Sequence, residues 1–206
     1  MARKSTKERR REITDGLLEA MAEHGYAKAS IKRIAESAGV TPGLIHYHFD
    51  SKQAILLELL RRLLDPLLEE LQALVDTDDS ATSRLEALID ALLATGDSAQ
   101  PEAVAVWVTM GAEAIREPEI NQAYSQALAK LQGLFVQVIE SGIEGGEFDL
   151  GQLSAPACAA ALLATVEGYF TLAATSPDTI PRGTAAPATR QMLQGLLQQQ
   201  SSAPAQ

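Results

Sequence analysis

The sequence predicts an all-α fold: a three-helix unit at the N-terminus followed by a longer helical bundle. Two observations predict it. Apolar residues recur at three- and four-residue spacings in one segment after another, and no segment alternates with period two for long enough to make a strand. Between these segments stand polar breaks that end helices, such as Gly96-Asp97-Ser98, Arg116-Glu117-Pro118, Gly142–Gly151 and Ser176–Gly183. The chain has 206 residues, 46% of them apolar, enough for one large domain or two small ones with a sizeable core.

In order along the chain, residues 1–8 read as a flexible basic arm. From about Lys7 to His24, the positions Ile13, Leu17, Ala20, Met21 and His24 make one helical stripe. Gly25 follows where a left-handed cap is wanted, and Tyr26 packs back under the helix. Ser30 caps a second helix with Ile31, Ile34, Ala35 and Ala38 facing inward. Gly39 makes the turn. Thr41 caps a third helix, with Pro42 at its first position, where a missing N–H does no harm.

Asp50 or Ser51 starts a fourth helix, carrying Ile55, Leu56, Leu59, Leu60, Leu63, Leu64, Leu67, Leu68, Leu71 and Leu74. Pro66 falls inside it as a potential kink. After a break at Asp76–Ser80, helices are expected at about 81–96, 101–115, 118–142, 153–174 and 185–199. Residues 200–206 are polar, low in complexity and expected to be disordered.

The second and third helices are spaced as a helix-turn-helix over residues 30–49, which makes DNA the first partner to consider. Ala35 is small where the helices cross, Gly39 tolerates a positive φ, and Ile34, Ala38, Val40 and Ile45 have the phase to seal the corner. The second helix of such a unit presents its N-terminal residues to base edges in the major groove. Here it begins Thr41-Pro42-Gly43-Leu44, a small and neutral set that lets backbone approach closely and touch thymine methyls. His46, Tyr47 and His48 follow as hydrogen-bond donors. Lys52 opens the next helix, where its charge opposes the helix dipole unless a phosphate sits at that end.

The net charge of −10 is segregated. Residues 1–62 hold 12 of the 17 Lys and Arg against 8 of the 27 Asp and Glu, a net +4; residues 63–206 hold the remaining 5 and 19, a net −14. A basic end can meet phosphate while the acidic remainder repels it.

These residues carry a family resemblance. Gly25-Tyr26, Ser30-Ile31, Ile34-Ala35, Ala38-Gly39-Val40, Gly43-Leu44-Ile45, Tyr47-His48-Phe49, Lys52 and Leu56 resemble the N-terminal domain of TetR/AcrR-type transcriptional regulators. The resemblance covers about residues 9–68. It implies an all-α homodimer with a DNA-binding head on each subunit, and residues 69–199 as a domain for effector binding and dimerisation. By position, Ser30, Thr41, Tyr47 and Lys52 resemble contacts to backbone phosphate. Lys32, Pro42, Gly43, Leu44, His46 and His48 resemble positions that approach or read bases, with His46 standing where the family often has Tyr. Gly43 and Leu44 offer no bidentate hydrogen bonds, which leaves Lys32 as the candidate guanine contact.

The resemblance implies a small-molecule effector and a subunit interface in the C-terminal bundle. For the interface, the small residues of 153–174 and the stripe in 184–197 point to Ala161, Leu162, Thr165, Gly168, Met192, Leu193 and Leu196, against an intramolecular core. For an effector pocket, polar or aromatic groups interrupting apolar faces point to Trp107, Met110, Glu113, Tyr124, Phe135, Thr165, Tyr169 and Phe170. Each of these is also a plain core or surface residue in the simpler reading.

Cys158 is the only cysteine and reads as a buried core residue. The basic N-terminus lacks the apolar run of a signal peptide, and the near-apolar stretch Ala155–Val166 is short for a bilayer, so no membrane partner is expected and the compartment expected is the cytoplasm. His46 and His48, two apart on a helix, point to different faces, and no metal is expected. No nucleophilic triad, credible carboxylate pair or Gly-rich phosphate loop supports an enzyme, and no cofactor is expected; Glu144-Gly145-Gly146-Glu147 reads as an acidic loop. The reading is a ligand-responsive transcriptional regulator, a repressor released by its effector. The alternatives are a ligand-independent regulator or activator of the same fold and, remotely, an all-α enzyme.

Overall fold

The computed structural model describes residues 4–93 and 101–197, with the side chain of Leu196 left out. Among them nine α-helices form and no β-strand: α1 (Thr6–His24), α2 (Ile31–Ser37), α3 (Pro42–His48), α4 (Lys52–Val75), α5 (Ala81–Leu92), α6 (Pro101–Ala114), α7 (Pro118–Glu144), α8 (Ala155–Thr175) and α9 (Ala185–Leu197). Single 3-10 turns stand at Tyr26–Lys28 and Pro177–Thr179. The all-α expectation holds. The expected break at Gly96-Asp97-Ser98 and the tail at 200–206 lie outside the described residues. The chain divides into two compact units, Met1–Pro66 with Ala105–Tyr124, and Leu67–Val104 with Ser125–Gln206. The expected boundary after residue 68 therefore falls beside the observed one, while Ala105–Tyr124 belongs with the N-terminal unit.

In the first unit, α1 starts earlier than the basic-arm reading allows. Ser5 Oγ accepts from the Glu8 N–H at 3.2 Å, and the Glu8 carboxylate accepts from the Ser5 N–H at 2.6 Å. Together they form a capping box that satisfies two otherwise orphan donors. Lys4 pairs with Glu12, so residues 4–8 are part of the helix start rather than a loose arm. The helix buries Ile13, Leu17 and Ala20 and stops at Gly25, whose N–H still reaches the Met21 carbonyl at 2.8 Å while its φ of 75° turns the following chain out of the helix.

Gly16 sets the α1–α2 crossing. A Cβ there would lie 2.6 Å from Ala38 Cβ and 2.8 Å from both Ala38 N and the Ile34 carbonyl oxygen. Only glycine permits that approach. Ile34 and Ala35 on α2 are buried, whereas Ile31 and Ala38 are half-buried. Arg62 on α4 reaches back to the Arg11 carbonyl at 3.1 Å and to Thr14 and Asp15, tying α4 to α1. Pro66 lies inside α4, which continues to Val75.

In the second unit, Glu147 takes the role of a cap for α5. Its carboxylate accepts from the N–H groups of Ala81 at 2.9 Å and Thr82 at 3.1 Å, and from the Thr82 hydroxyl at 3.2 Å. Those bonds favour the anion and hold its pKa below the ordinary carboxylate value. Arg84 donates to the Val75 carbonyl at 3.0 Å, closing the end of α4, and to Ser141 Oγ at 2.7 Å. The core of this unit gathers Leu85, Leu88 and Ile89 from α5, Phe135, Val138 and Ile139 from α7, Cys158, Ala159, Leu162 and Val166 from α8, and Leu193 and Leu197 from α9. Burial raises the Cys158 thiol pKa, as expected of an inert core cysteine.

The helix holding Ala155–Val166 runs on to Thr175, 21 residues in all, so by length and composition it is long enough to cross a bilayer. One face of it is nonetheless packed into its unit, through Cys158, Ala159, Leu162 and Val166.

Candidate nucleic-acid interface

The interface centres on α3, seven residues long and too short to persist alone. Its neighbours hold it. Thr41 Oγ1 accepts from the Leu44 N–H at 3.3 Å, Ile45 is fully buried, and Phe49 leaves the helix into the core with its N–H on the Ile45 carbonyl at 2.8 Å. At the turn, Gly39 adopts a φ of 62°, which lets the Val40 N–H return to the Ala35 carbonyl at 2.9 Å. Arg10 of α1 closes the far end of α3: Nη1 donates to the His48 carbonyl at 2.7 Å, Nε and Nη2 donate to the Glu58 carboxylate at 3.4 and 3.0 Å, and the guanidinium lies 4.1 Å from the Phe49 ring centre. Arg10 also holds the Glu58 carboxyl below the ordinary carboxylate value.

With its inner side anchored, α3 presents Pro42, Gly43, His46 and Tyr47 to solvent, and Thr41 is exposed beside them. Tyr47 is 79% exposed, an unusual position for an aromatic ring; it meets His48 edge-on at 5.0 Å between ring centres. Leu44 and His48 are half-buried. A Cβ on Gly43 would meet nothing within 4 Å. The fold therefore gives no reason for a glycine that weakens the helix.

Ser30 and Thr41 serve as helix caps within the chain, Ser30 Oγ accepting from the Arg33 N–H at 3.4 Å; both residues remain exposed. Lys32 is exposed, with Glu36 3.9 Å away, a pairing of little energetic weight at the surface. Lys52 departs from the phosphate-contact expectation. Its Nζ donates to the Tyr26 carbonyl at 2.8 Å and sits 4.0 Å from the centre of the Tyr26 ring. Buried carbonyl and ring face compete for the ammonium that the helix end was expected to offer to phosphate. Burial lowers the Lys52 pKa, and Glu113 opposes that shift. Burial, with Glu113 and Glu117, pushes the Tyr26 phenol up to about 12.

The expected effector residues divide between the two units. In the first, Trp107 and Met110 are buried, Glu113 and Tyr124 half-buried. The Trp107 and Tyr124 rings stack at 4.7 Å with a 46° tilt. In the second, Phe135 is buried, and Thr165, Tyr169 and Phe170 are half-buried, Thr165 donating to the Ala161 carbonyl at 2.9 Å.

Of the expected interface residues, Leu162 and Leu193 are buried in their own unit, because inward helix faces carry the larger apolar groups. Ala161, Gly168 and Met192 are exposed, and Thr165 is half-buried. The Leu196 side chain lies outside the description. Exposed Ala157, Ala160, Ala161, Ala164, Gly168 and Leu172 form one outward stripe on α8.

Sequence reasoning missed Arg10, Glu58 and Gly16. Arg10 sits in Arg9-Arg10-Arg11, where three like residues hide the one that faces inward. Gly16 had a signal: an isolated glycine inside a helical pattern calls for a packing reason.

Residues 13–59 match the profile of bacterial regulatory proteins of the tetR family, and residues 81–198 match that of the BetI-type transcriptional repressor, C-terminal part. The chain is 32% identical over 114 residues to the HTH-type transcriptional regulator BetI of Rhizobium meliloti, covering 55% of this chain and 56% of that one. It is 28% identical over 143 residues to the HTH-type transcriptional repressor KstR2 of Rhodococcus jostii, covering 68% of each. The match thus spans little more than half the length of the BetI relative. Among solved structures, a TetR transcription regulator from Haloarcula marismortui superposes with a TM-score of 0.78 at 26% identity, covering 93% of this chain and 100% of that one. A regulator from Saccharomonospora viridis in complex with choline gives 0.75 at 29% identity, covering 92% and 95%.

Proposed function

This chain belongs to the TetR family of bacterial regulatory proteins, and from that premise we propose that it is a transcriptional repressor that binds a near-palindromic operator as a homodimer in the cytoplasm and is released by a small-molecule effector. The observation that carries the DNA-binding part is the exposed face of α3. An anchored helix with an outward tyrosine, and a glycine the fold does not need, suits a surface built for a close-approaching partner. In this reading Tyr47 donates to phosphate, Ser30 and Thr41 add hydroxyls, and Pro42, Gly43, Leu44, His46 and His48 face base edges with Lys32. Lys52 supports the head from within.

Two heads on one duplex require recognition helices about 34–36 Å apart, one helical turn of DNA. The outward stripe of small residues on α8, with exposed Met192 on α9, supports that face as the subunit interface. The test is selection of duplexes from a random-sequence pool by the purified protein. A repeated half-site with one-turn spacing is the expected result; retention that ignores sequence at every salt concentration would defeat the reading. Gly168→Glu should shift the protein from dimer to monomer in sedimentation and abolish palindrome preference together.

For the effector, the stacked Trp107 and Tyr124 rings favour an organic cation over an acyl chain, since aromatic faces attract positive charge. The choline complex of the Saccharomonospora viridis neighbour points the same way. Calorimetry with a panel of quaternary ammonium compounds and acyl thioesters decides between the classes. Release follows if the effector binds better to the conformer with the wrong head spacing.

A further inference from the structure

We infer that Arg10 is a positioning residue for DNA recognition, fixing the orientation of α3 against α1 and α4 through a single guanidinium. The inference rests on the DNA-binding reading above. A seven-residue helix has most of its carbonyls unsatisfied at the C-terminal end, and the His48 carbonyl is one of them. Arg10 satisfies it at 2.7 Å and brings a positive charge to the helix C-terminus, where the dipole favours one. The same planar fork grips Glu58 of α4 through Nε and Nη2, and its face rests on Phe49. Three helices are therefore cross-linked by one side chain, at the end of α3 opposite its Thr41 cap.

Arg10 is poorly placed to act as a phosphate contact itself. All three of its nitrogens have intramolecular partners, and Glu58 balances its charge. Its effect is geometric. Side chains reading base edges must be held within about 0.5 Å and 10–20° of the productive pose. A helix held at its N-terminus and by Ile45, but released at His48, can roll by more than that tolerance.

The test uses the full-length protein, the duplex it selects from a random-sequence pool, and a scrambled duplex of the same length, titrated at several salt concentrations. Three variants are compared: Arg10→Met, Arg10→Lys, which keeps a cation over Phe49 but cannot hold His48 and Glu58 together, and Glu58→Met. Affinity for the selected duplex should fall on the order of tenfold or more in Arg10→Met and by a smaller factor in Arg10→Lys. Affinity for the scrambled duplex should hold, and the slope of log affinity against log salt should not change.

Glu58→Met gives the most discriminating sign. Removing an anion from the head strengthens DNA binding by charge alone, whereas loss of positioning weakens binding to the selected duplex. Tighter binding by Glu58→Met overturns the inference. So does a salt slope reduced by about one in Arg10→Met, with both duplexes weakened alike, because that marks a direct phosphate contact. If Arg10→Met does not fold, Arg10→Lys and Glu58→Met carry the decision. A wild-type protein that selects no sequence overturns the DNA-binding reading and this inference together; selection by the wild type with unaltered variants overturns this inference only.

Discussion

Replacing Gly16 by alanine sets two effects against each other, and their sizes decide the sign. Alanine in a helix interior is favoured over glycine by about 1 kcal/mol. Against this, the new Cβ would lie 2.6 Å from Ala38 Cβ and 2.8 Å from Ala38 N and the Ile34 carbonyl oxygen, all closer than carbon atoms are found in proteins. Two of these neighbours are backbone, so no side-chain rotation relieves the overlap and α1 must move from α2. Overpacking costs about 1–3 kcal/mol, and backbone neighbours place this case at the upper end. The net is a loss of about 2 kcal/mol for Gly16→Ala.

Urea unfolding followed by far-ultraviolet circular dichroism, at matched protomer concentration, measures it. Adding Ala38→Gly removes the Cβ partner but leaves the two backbone atoms, so it should recover only part of the loss. A midpoint raised at unchanged slope in Gly16→Ala would show propensity winning and would refute the close-approach argument.

Other consequences are as direct. Tyr47→Phe should weaken binding to selected and scrambled duplexes by similar factors while the unfolding free energy from urea titration stays within about 0.5 kcal/mol of wild type, as expected of a surface change; a larger loss of stability would mean that Tyr47 supports the fold. Lys52→Met should lower the urea midpoint and leave the salt slope of DNA binding nearly unchanged, since the ammonium serves Tyr26; a slope smaller by about one would return Lys52 to the phosphate. Glu147→Gln should lower the thermal midpoint at neutral pH. The folded-state pKa of Glu147 is lowered, so its stabilisation is present above its ordinary value of 4.5 and is lost as pH falls below it; a gap between variant and wild type that persists in acid would contradict the carboxylate cap.

Much of the head was legible because its signals are local. Ser30, Gly39, Thr41 and Pro42 act on backbone within a few residues of themselves, so their chemistry can be read without knowing the tertiary fold. Ser5-Thr6-Lys7-Glu8 carried an equally local capping box, hidden by the habit of reading a basic terminus as an arm. Arg10 was not legible, since its partners His48 and Glu58 lie 38 and 48 residues away and only the packed register of α1 selects it from its neighbours. The partners of Lys52 were not legible for a related reason: the helix dipole it was expected to oppose is a local feature, whereas the Tyr26 carbonyl that accepts from it arrives from 26 residues upstream. In the bundle, periodicity located the helices, but it could not separate inward Leu162 and Leu193 from outward Ala161 and Met192 without the packing.

The open space around Gly43 bears on how such a protein diverges. A site that both folds the chain and reads DNA can change its target only by risking the fold. Gly43 carries no such double duty, because its surroundings would accept a side chain and most replacements would favour the helix, by at most about 1 kcal/mol in a helix interior and by less in the first turn where Gly43 stands. A duplicated copy could therefore acquire a new operator through one substitution at this position and arrive more stable than its parent, leaving the bundle and its signal untouched.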